Sequence, residues 1–214
     1  MGRYYFIVEG QGEELAVPNL LHRLSVEAGR HDARWALAGR CSAMKQRAAL
    51  VAHCEDLRRR GDCDGALILQ DDEDGCPKDD GPRLASWVRD LRLPFPVGVA
   101  LFYREYETLF LACLPALAGK ALTDPRGIAL PSIDPAARLD KDPQGLRGAK
   151  KVIDRFLPRN RPYRETTHQL AMTRLLDFAV LRTSELPCFG TLERALEFVL
   201  MTGGEGVYPP APPP

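Results

Sequence analysis

Short apolar runs that alternate with amphipathic stretches predict an α/β fold, a largely parallel sheet flanked by helices. Two observations carry the prediction. Ala66-Leu67-Ile68-Leu69 and the segment Val97–Phe102 are continuous apolar runs bounded by turn residues, as expected of strands buried on both faces. Between and after them, apolar residues recur at helical spacing, so strands and helices alternate as βαβ units. The 214 residues, 45% hydrophobic and 27% charged, are enough for a sizeable core in one large domain or two small ones.

The first strand is Tyr4 to Val8, closed by a sharp turn at Glu9-Gly10-Gln11-Gly12. A helix follows from about Glu13 to Ala28, with Leu20, Leu21 and Leu24 on one face; Pro18 requires a late start or a kink. A second helix, about Ala43 to Arg60, is stopped by Gly61, with Arg58, Arg59 and Arg60 at its C-terminal dipole end. The strand Ala66–Leu69 runs into Asp71-Asp72-Glu73-Asp74-Gly75. Next come a helix around Arg83 to Leu91, the strand Val97–Phe102 and a helix from about Glu105 to Ala116. Residues 1–122 are therefore expected to form the α/β core. Residues 123–202 read as an irregular crossing segment and a mainly helical C-terminal extension of the same domain. The final stretch, 203–214, reads as a flexible Pro-rich tail that joins neither helix nor sheet.

The N-terminus lacks the features of a signal peptide, and nothing reaches the ~18 apolar residues of a membrane span. Cys41, Cys54, Cys63, Cys76, Cys113 and Cys188 include no C-x-x-C pair and read as free, mostly buried thiols. The expected location is the cytoplasm. Lys plus Arg number 29 and Asp plus Glu 29, which excludes a partner held by overall charge. The charges are segregated, however. Residues 62–80 hold eight acids and one base, while 147–164 hold seven bases and one acid.

In an open parallel sheet, ligands bind at the carboxyl ends of strands. Glu9 follows the first strand, and Asp71 and Glu73 follow Ala66–Leu69. Glu13, four residues after Glu9, returns to the same point after one helical turn. Crowded carboxylates repel, and a hard cation such as Mg²⁺ relieves them. The bland alternatives are a helix N-terminal charge for Glu9 and a solvated turn for 71–74.

The pattern Phe6-Ile7-Val8-Glu9-Gly10-x-x-Glu13, followed by Leu67-Ile68-Leu69-x-Asp71-x-Glu73, resembles the TOPRIM fold, a Rossmann-like fold. Topoisomerases, bacterial primases, recombination mediators and the overcoming-lysogenization-defect nucleases share it. The whole chain is similar to a family of small stand-alone TOPRIM-like bacterial proteins catalogued as a domain of unknown function. That similarity rests on Val8 to Glu14, Asp71 to Pro77, Arg104 to Leu111, and Gly148-Ala149-Lys150 with Tyr163 and His168-Gln169 downstream. Two positions depart from the pattern. Glu73 stands for the second acid of Asp-x-Asp, and Leu109 replaces the usual Trp.

The resemblance implies a Mg²⁺- or Mn²⁺-dependent nuclease, the effector of an anti-phage defence or mobile-element system with an ATPase partner. Glu9, Glu13, Asp71 and Glu73 would be metal ligands. Two-metal hydrolysis would need ions ~4 Å apart. Glu105 reads equally well as a catalytic acid at the sheet edge and as a helix-terminal charge paired with Arg104; Glu107 is the weaker candidate. Lys150 is the candidate for transition-state charge stabilisation. Lys151, Arg155, Arg159 and Arg161 would join it in binding a nucleic acid, with Arg161 and Tyr163 placed to stack on a base. A homo-oligomer is left open. The rival reading is a catalytically silent interaction module in such a complex. A primase-like nucleotidyl transferase ranks last, for want of a nucleotide pocket.

Overall fold

The computed structural model describes residues 2–184 and 186–211. Its first half alternates regularly: β1 (Arg3–Val8), α1 (Glu13–Glu27), β2 (Arg34–Arg40), α2 (Arg47–Arg60), β3 (Gly65–Asp72), α3 (Pro77–Arg89) and β4 (Pro96–Tyr103). There follow α4 (Thr108–Ala112), α5 (Leu114–Leu117), a small ribbon of β5 (Leu122–Thr123) and β6 (Ala129–Leu130), and a 3₁₀ turn at Pro143–Gly145. The rest comprises α6 (Ala149–Asp154), α7 (Glu165–Thr173), α8 (Phe178–Thr183), α9 (Pro187–Met201) and β7 (Gly206–Tyr208). The main sheet has the order β2-β1-β3-β4-β7, and every neighbouring pair is parallel.

Side-chain alternation divides the interior into two cores. Tyr4, Phe6, Val8, Leu67, Leu69, Ala100 and Phe102 face α1, α9 and the other C-terminal helices. Tyr5, Ile7, Ala66, Ile68, Val97, Val99 and Leu101 face α2 and α3 through Leu50, Cys54, Leu57, Leu84, Ala85 and Val88. No helix among the described residues is long and apolar enough to cross a membrane. All six cysteines are free; Cys41, Cys54, Cys113 and Cys188 are buried.

Several elements differ from expectation, each for a physical reason. β2 went unread because it is an edge strand, largely exposed, with a bulge opposite Phe6 and Ile7 that breaks its register. α1 runs through Pro18. α2 starts at Arg47, because residues 42–46 form turns that carry Lys45 over the sheet end. β3 extends to Asp72, and α3 begins six residues earlier than Arg83, with Pro77 in its first turn. The helix expected over Glu105–Ala116 is broken into α4 and α5 around Cys113, just before Pro115.

The tail is also corrected in part. Gly206–Tyr208 pairs with Pro96–Gly98, fastened where Arg89 donates to the Pro209 carbonyl (2.7 Å) and Arg194 to the Tyr208 hydroxyl (2.9 Å). These tertiary anchors outweigh the poor strand propensity of the segment. Residues 212–214 lie outside the described residues.

Candidate functional site

The chain passes from β1 out to β2 and returns across to β3, so the strand order reverses between β1 and β3. A crevice opens at such a switch point beyond the carboxyl ends of the strands. Glu9 follows β1 there, and Asp71 and Asp72 end β3. Alternation along β3 sends those two neighbouring acids to opposite sides of the sheet.

On the α1 side, Asp71 Oδ1 accepts the Tyr106 N–H at 2.8 Å. Buried Glu13 folds back so that Oε2 accepts the N–H groups of Glu9 and Gly10, both at 2.9 Å. Glu107 is fully buried; its Oε1 accepts from the Tyr163 hydroxyl (2.8 Å) and from Gln169 Nε2 (3.3 Å), while Oε2 has no partner. Gly12 lets α7 approach α1 closely, since a Cβ there would lie 2.3 Å from Gln169 Oε1.

The acids on this side oppose one another's charge. Burial holds Asp71 well above the usual carboxylate range, and Glu13, Glu107 and Glu9 push it further. Burial raises Glu13 to about 7 against the pull of its two backbone donors, with Glu9 adding to the rise. Glu107 is raised to about 7 by burial, although Lys150 pulls it down. Burial works against the Lys150 ammonium, yet Glu107, Glu165 and Glu105 together keep its pKa above the ordinary lysine value.

On the α3 side, Asp72 is fully buried and its Oδ1 meets the Lys45 ammonium at 2.5 Å. Asp80 lies 3.9 Å from the same ammonium and pairs with Arg83 at 2.7 Å. Gly75 lets these carboxylates converge, since a Cβ there would be 2.2 Å from both Asp72 Oδ1 and Asp80 Oδ2. Burial, with Asp80 nearby, raises Asp72 despite Lys45. Glu9 stands between the two sides. Burial and Glu73 raise it, while Lys45, the Asp71 backbone and the Gln70 side chain hold it down.

The sequence-predicted residues separate accordingly. Glu9, Glu13 and Asp71 come together. Glu73 lies beyond the end of β3 and is exposed, reaching the group only through its charge on Glu9. Glu105 accepts the Lys150 N–H (3.3 Å) at the start of α6, and Arg104 bonds the Glu73 carbonyl (2.9 Å) in place of the expected partner Glu105. Glu107, ranked below Glu105, belongs to the cluster; α4 begins only at Thr108, which shifts the helical face by most of a turn.

The Lys150 ammonium is bound to Glu165 at 2.6 Å. Lys151, Arg155, Arg159 and Arg161 are exposed, with no ion pair among the described residues. The stacking role for Tyr163 is overturned, because its ring is buried beside His168, centroids 5.4 Å apart. Lys45, Asp72 and Asp80 were not singled out; the signal was the i, i+1 pair of acids at a strand end, which alternation must split.

Among the described residues, eight buried side-chain polar atoms lack a partner, and seven belong to this region: on Glu9, Gln70, Asp72, Arg104, Glu107, His168 and Gln169. Buried polar atoms are normally answered by protein groups or ordered water, so these seven mark where the protein's own groups leave polar atoms to be answered. No three His, Cys, Asp or Glu side chains among the described residues stand ready to hold a metal ion. The set therefore falls short of the cage a pair of ions would need. A single Mg²⁺ would ask for less, since it takes one or two carboxylates and keeps waters for its remaining positions.

Neither the curated proteins nor the solved structures contain a match to this chain. Residues 8–197 match the family described as Domain of unknown function (DUF4276), a span that runs from the last residue of β1 through most of α9. The chain belongs to that family.

Proposed function

We propose that the protein is a Mg²⁺-dependent phosphodiesterase of the TOPRIM type that cleaves nucleic acid. The observation that carries this reading is the gathering of Glu9, Glu13 and Asp71 at the β1/β3 switch point, their pKa values raised by burial and mutual repulsion. Perturbed carboxylates in a cleft are characteristic of catalytic sites. Glu9 and Asp71 would hold the ion. Glu13 fixes the turn that aims Glu9, through its bonds to the Glu9 and Gly10 N–H groups. Tyr163 and Gln169 hold Glu107, whose charge acts on Lys150. A bound Mg²⁺ supplies Lewis-acid polarisation of the phosphoryl oxygen and a water of lowered pKa. The sequence resemblance extends the proposal to a defence or mobile-element setting, with an ATPase as the partner to test.

Cleavage of plasmid DNA and of RNA in Mg²⁺ or Mn²⁺ is the direct test. Glu9→Gln and Asp71→Asn are expected to lower the rate ~100-fold or more without lowering the melting temperature by more than a few degrees. The rise in melting temperature that Mg²⁺ gives the wild type should vanish in Asp71→Asn. Equal cleavage by all three proteins would overturn the assignment. The exposure of Glu73, outside the cluster, favours a second reading, a silent interaction module of the same fold. Absence of cleavage by the wild type on either substrate would select it.

A further inference from the structure

Beyond the end of β3 lies a pocket of about 210 Å³ lined by Glu73, Asp74, Arg104, Glu105, Arg147 and Gly148. Resting on the phosphodiesterase reading, we propose that Arg104 and Arg147 form the subsite for one backbone phosphate of the substrate, a role the basic run 147–164 had suggested for Lys150.

Three features converge on this pocket. Arg104 has φ of 68°, a left-handed conformation that costs a side-chain-bearing residue free energy and that folds retain mainly at functional positions. The turn brings its guanidinium back over the end of β3, stacked on the Tyr103 ring at 4.9 Å, with Nη1 on the Glu73 carbonyl and Nη2 on the Tyr103 hydroxyl (3.2 Å). Secondly, Arg104 lines the pocket and makes no ion pair among the described residues, so no contacting acid neutralises its charge. Thirdly, among the described residues Arg147 is held only by Asp74, at 2.6 Å, and both side chains are well exposed, at 68% and 78%. Such a pair contributes little and exchanges readily for a phosphate, which an arginine binds through two parallel hydrogen bonds.

Lys150 is unsuited to the same task. Its ammonium already answers Glu165, and Glu107 and Glu105 add their charges. Glu73, Asp74 and Glu105 give the pocket three acids against two arginines. A phosphate should therefore enter only when a divalent cation offsets those acids, and binding should weaken on chelation.

The test is fluorescence anisotropy of a labelled 12-nucleotide single strand, with Ca²⁺ replacing Mg²⁺ so that cleavage plays no part. Arg147→Ala and Arg104→Lys should each weaken binding ~10-fold; Arg147→Ala, which removes a charge, should also reduce the salt slope by about one phosphate, whereas Arg104→Lys should leave it unchanged. Arg126→Ala, on the turn between β5 and β6, should bind as the wild type does. Arg147 lies on an exposed segment, so it carries the test if Arg104→Lys fails to fold. Wild-type affinity in Arg147→Ala, or loss confined to an Arg159→Ala/Arg161→Ala double variant, overturns the subsite, as does a wild type that binds no oligonucleotide in Ca²⁺. The two proposals fail separately. Binding through the pocket without cleavage in Mg²⁺ removes the enzyme and leaves the subsite, whereas cleavage with unimpaired pocket variants does the reverse.

Discussion

The two sides of the carboxyl end of β3 face the same physical problem, an acid held out of water, and meet it differently. On the α3 side the counter-charge is built in: Lys45 reaches Asp72 and Asp80 together, and Arg83 completes the pairing. On the α1 side no ion pair reaches Asp71 among the described residues; Glu13, Glu107 and Glu9 raise it, and Lys150, bound to Glu165, opposes them only through its charge. The chain thus places a cation in contact with Asp72 and leaves Asp71, one residue earlier, without one in contact. The first side is held together for stability, the second bears the cost of crowding.

Lys45→Met attacks the built-in counter-charge and should show the largest stability effect. Removing one partner of a fully buried pair costs ~3–5 kcal/mol; with Lys45 35% exposed, about 3 kcal/mol at pH 8 is expected. Asp72 already binds its proton more tightly in the fold than unfolded, so protonation relieves the orphaned acid and the cost should shrink towards pH 5. Urea denaturation at the two pH values measures this. A small loss, equal at both, would show that Lys45 is not the counter-charge and would erase the contrast between the sides.

The contrast was only half legible in the sequence. β1, β3 and β4 announce themselves because strands buried on both faces must be continuously apolar, and Glu9, Glu13 and Asp71 follow from the rule that places ligands at strand ends. β2, Arg-Trp-Ala-Leu-Ala-Gly-Arg, carries no such signal, since an exposed edge strand needs no apolar face. β7 has three residues and exists through Arg89, Arg194 and the β4 edge. Lys45 was invisible because its role depends on where a turn crosses the sheet. Glu107 was undervalued because counting helical faces from Glu105 assumed a helix that begins later.

Glu107→Gln probes the crowded side and should move stability in the opposite direction, by about 2 kcal/mol. The folded-state pKa of Glu107 is raised from 4.5 to about 7. Between those values the folded chain holds more protons than the unfolded one, so stability falls as pH rises through the window, at up to ~1.4 kcal/mol per pH unit. An amide keeps an oxygen for the Tyr163 hydroxyl and removes the charge. The variant should therefore melt higher than the wild type at pH 8, by roughly 2–4 °C for each kcal/mol, and alike near pH 4.5. A variant destabilised at pH 8 would mean that the ionised carboxylate is fully compensated in the fold, and the two sides of β3 would no longer differ in kind.

Gly12→Ala sharpens the comparison without touching any charge. The new methyl would meet Gln169 Oε1 at 2.3 Å and Glu165 Cβ at 2.9 Å, so α7 must shift from the start of α1 or Gln169 must turn. Overpacking of this kind costs ~1–3 kcal/mol; the Gln169 amide can turn but the Glu165 Cβ moves only with α7, which places the loss at about 2 kcal/mol. Glu165 and Gln169 are the residues that hold Lys150 and Glu107, so the methyl should disturb the α1 side alone. Cleavage should fall more than stability does, and the pH dependence of unfolding that Lys45 imposes on Asp72 should stay as in the wild type. If Gly12→Ala altered that dependence as well, the two sides would be coupled through the β1–α1 turn, with Glu9 as the residue between them.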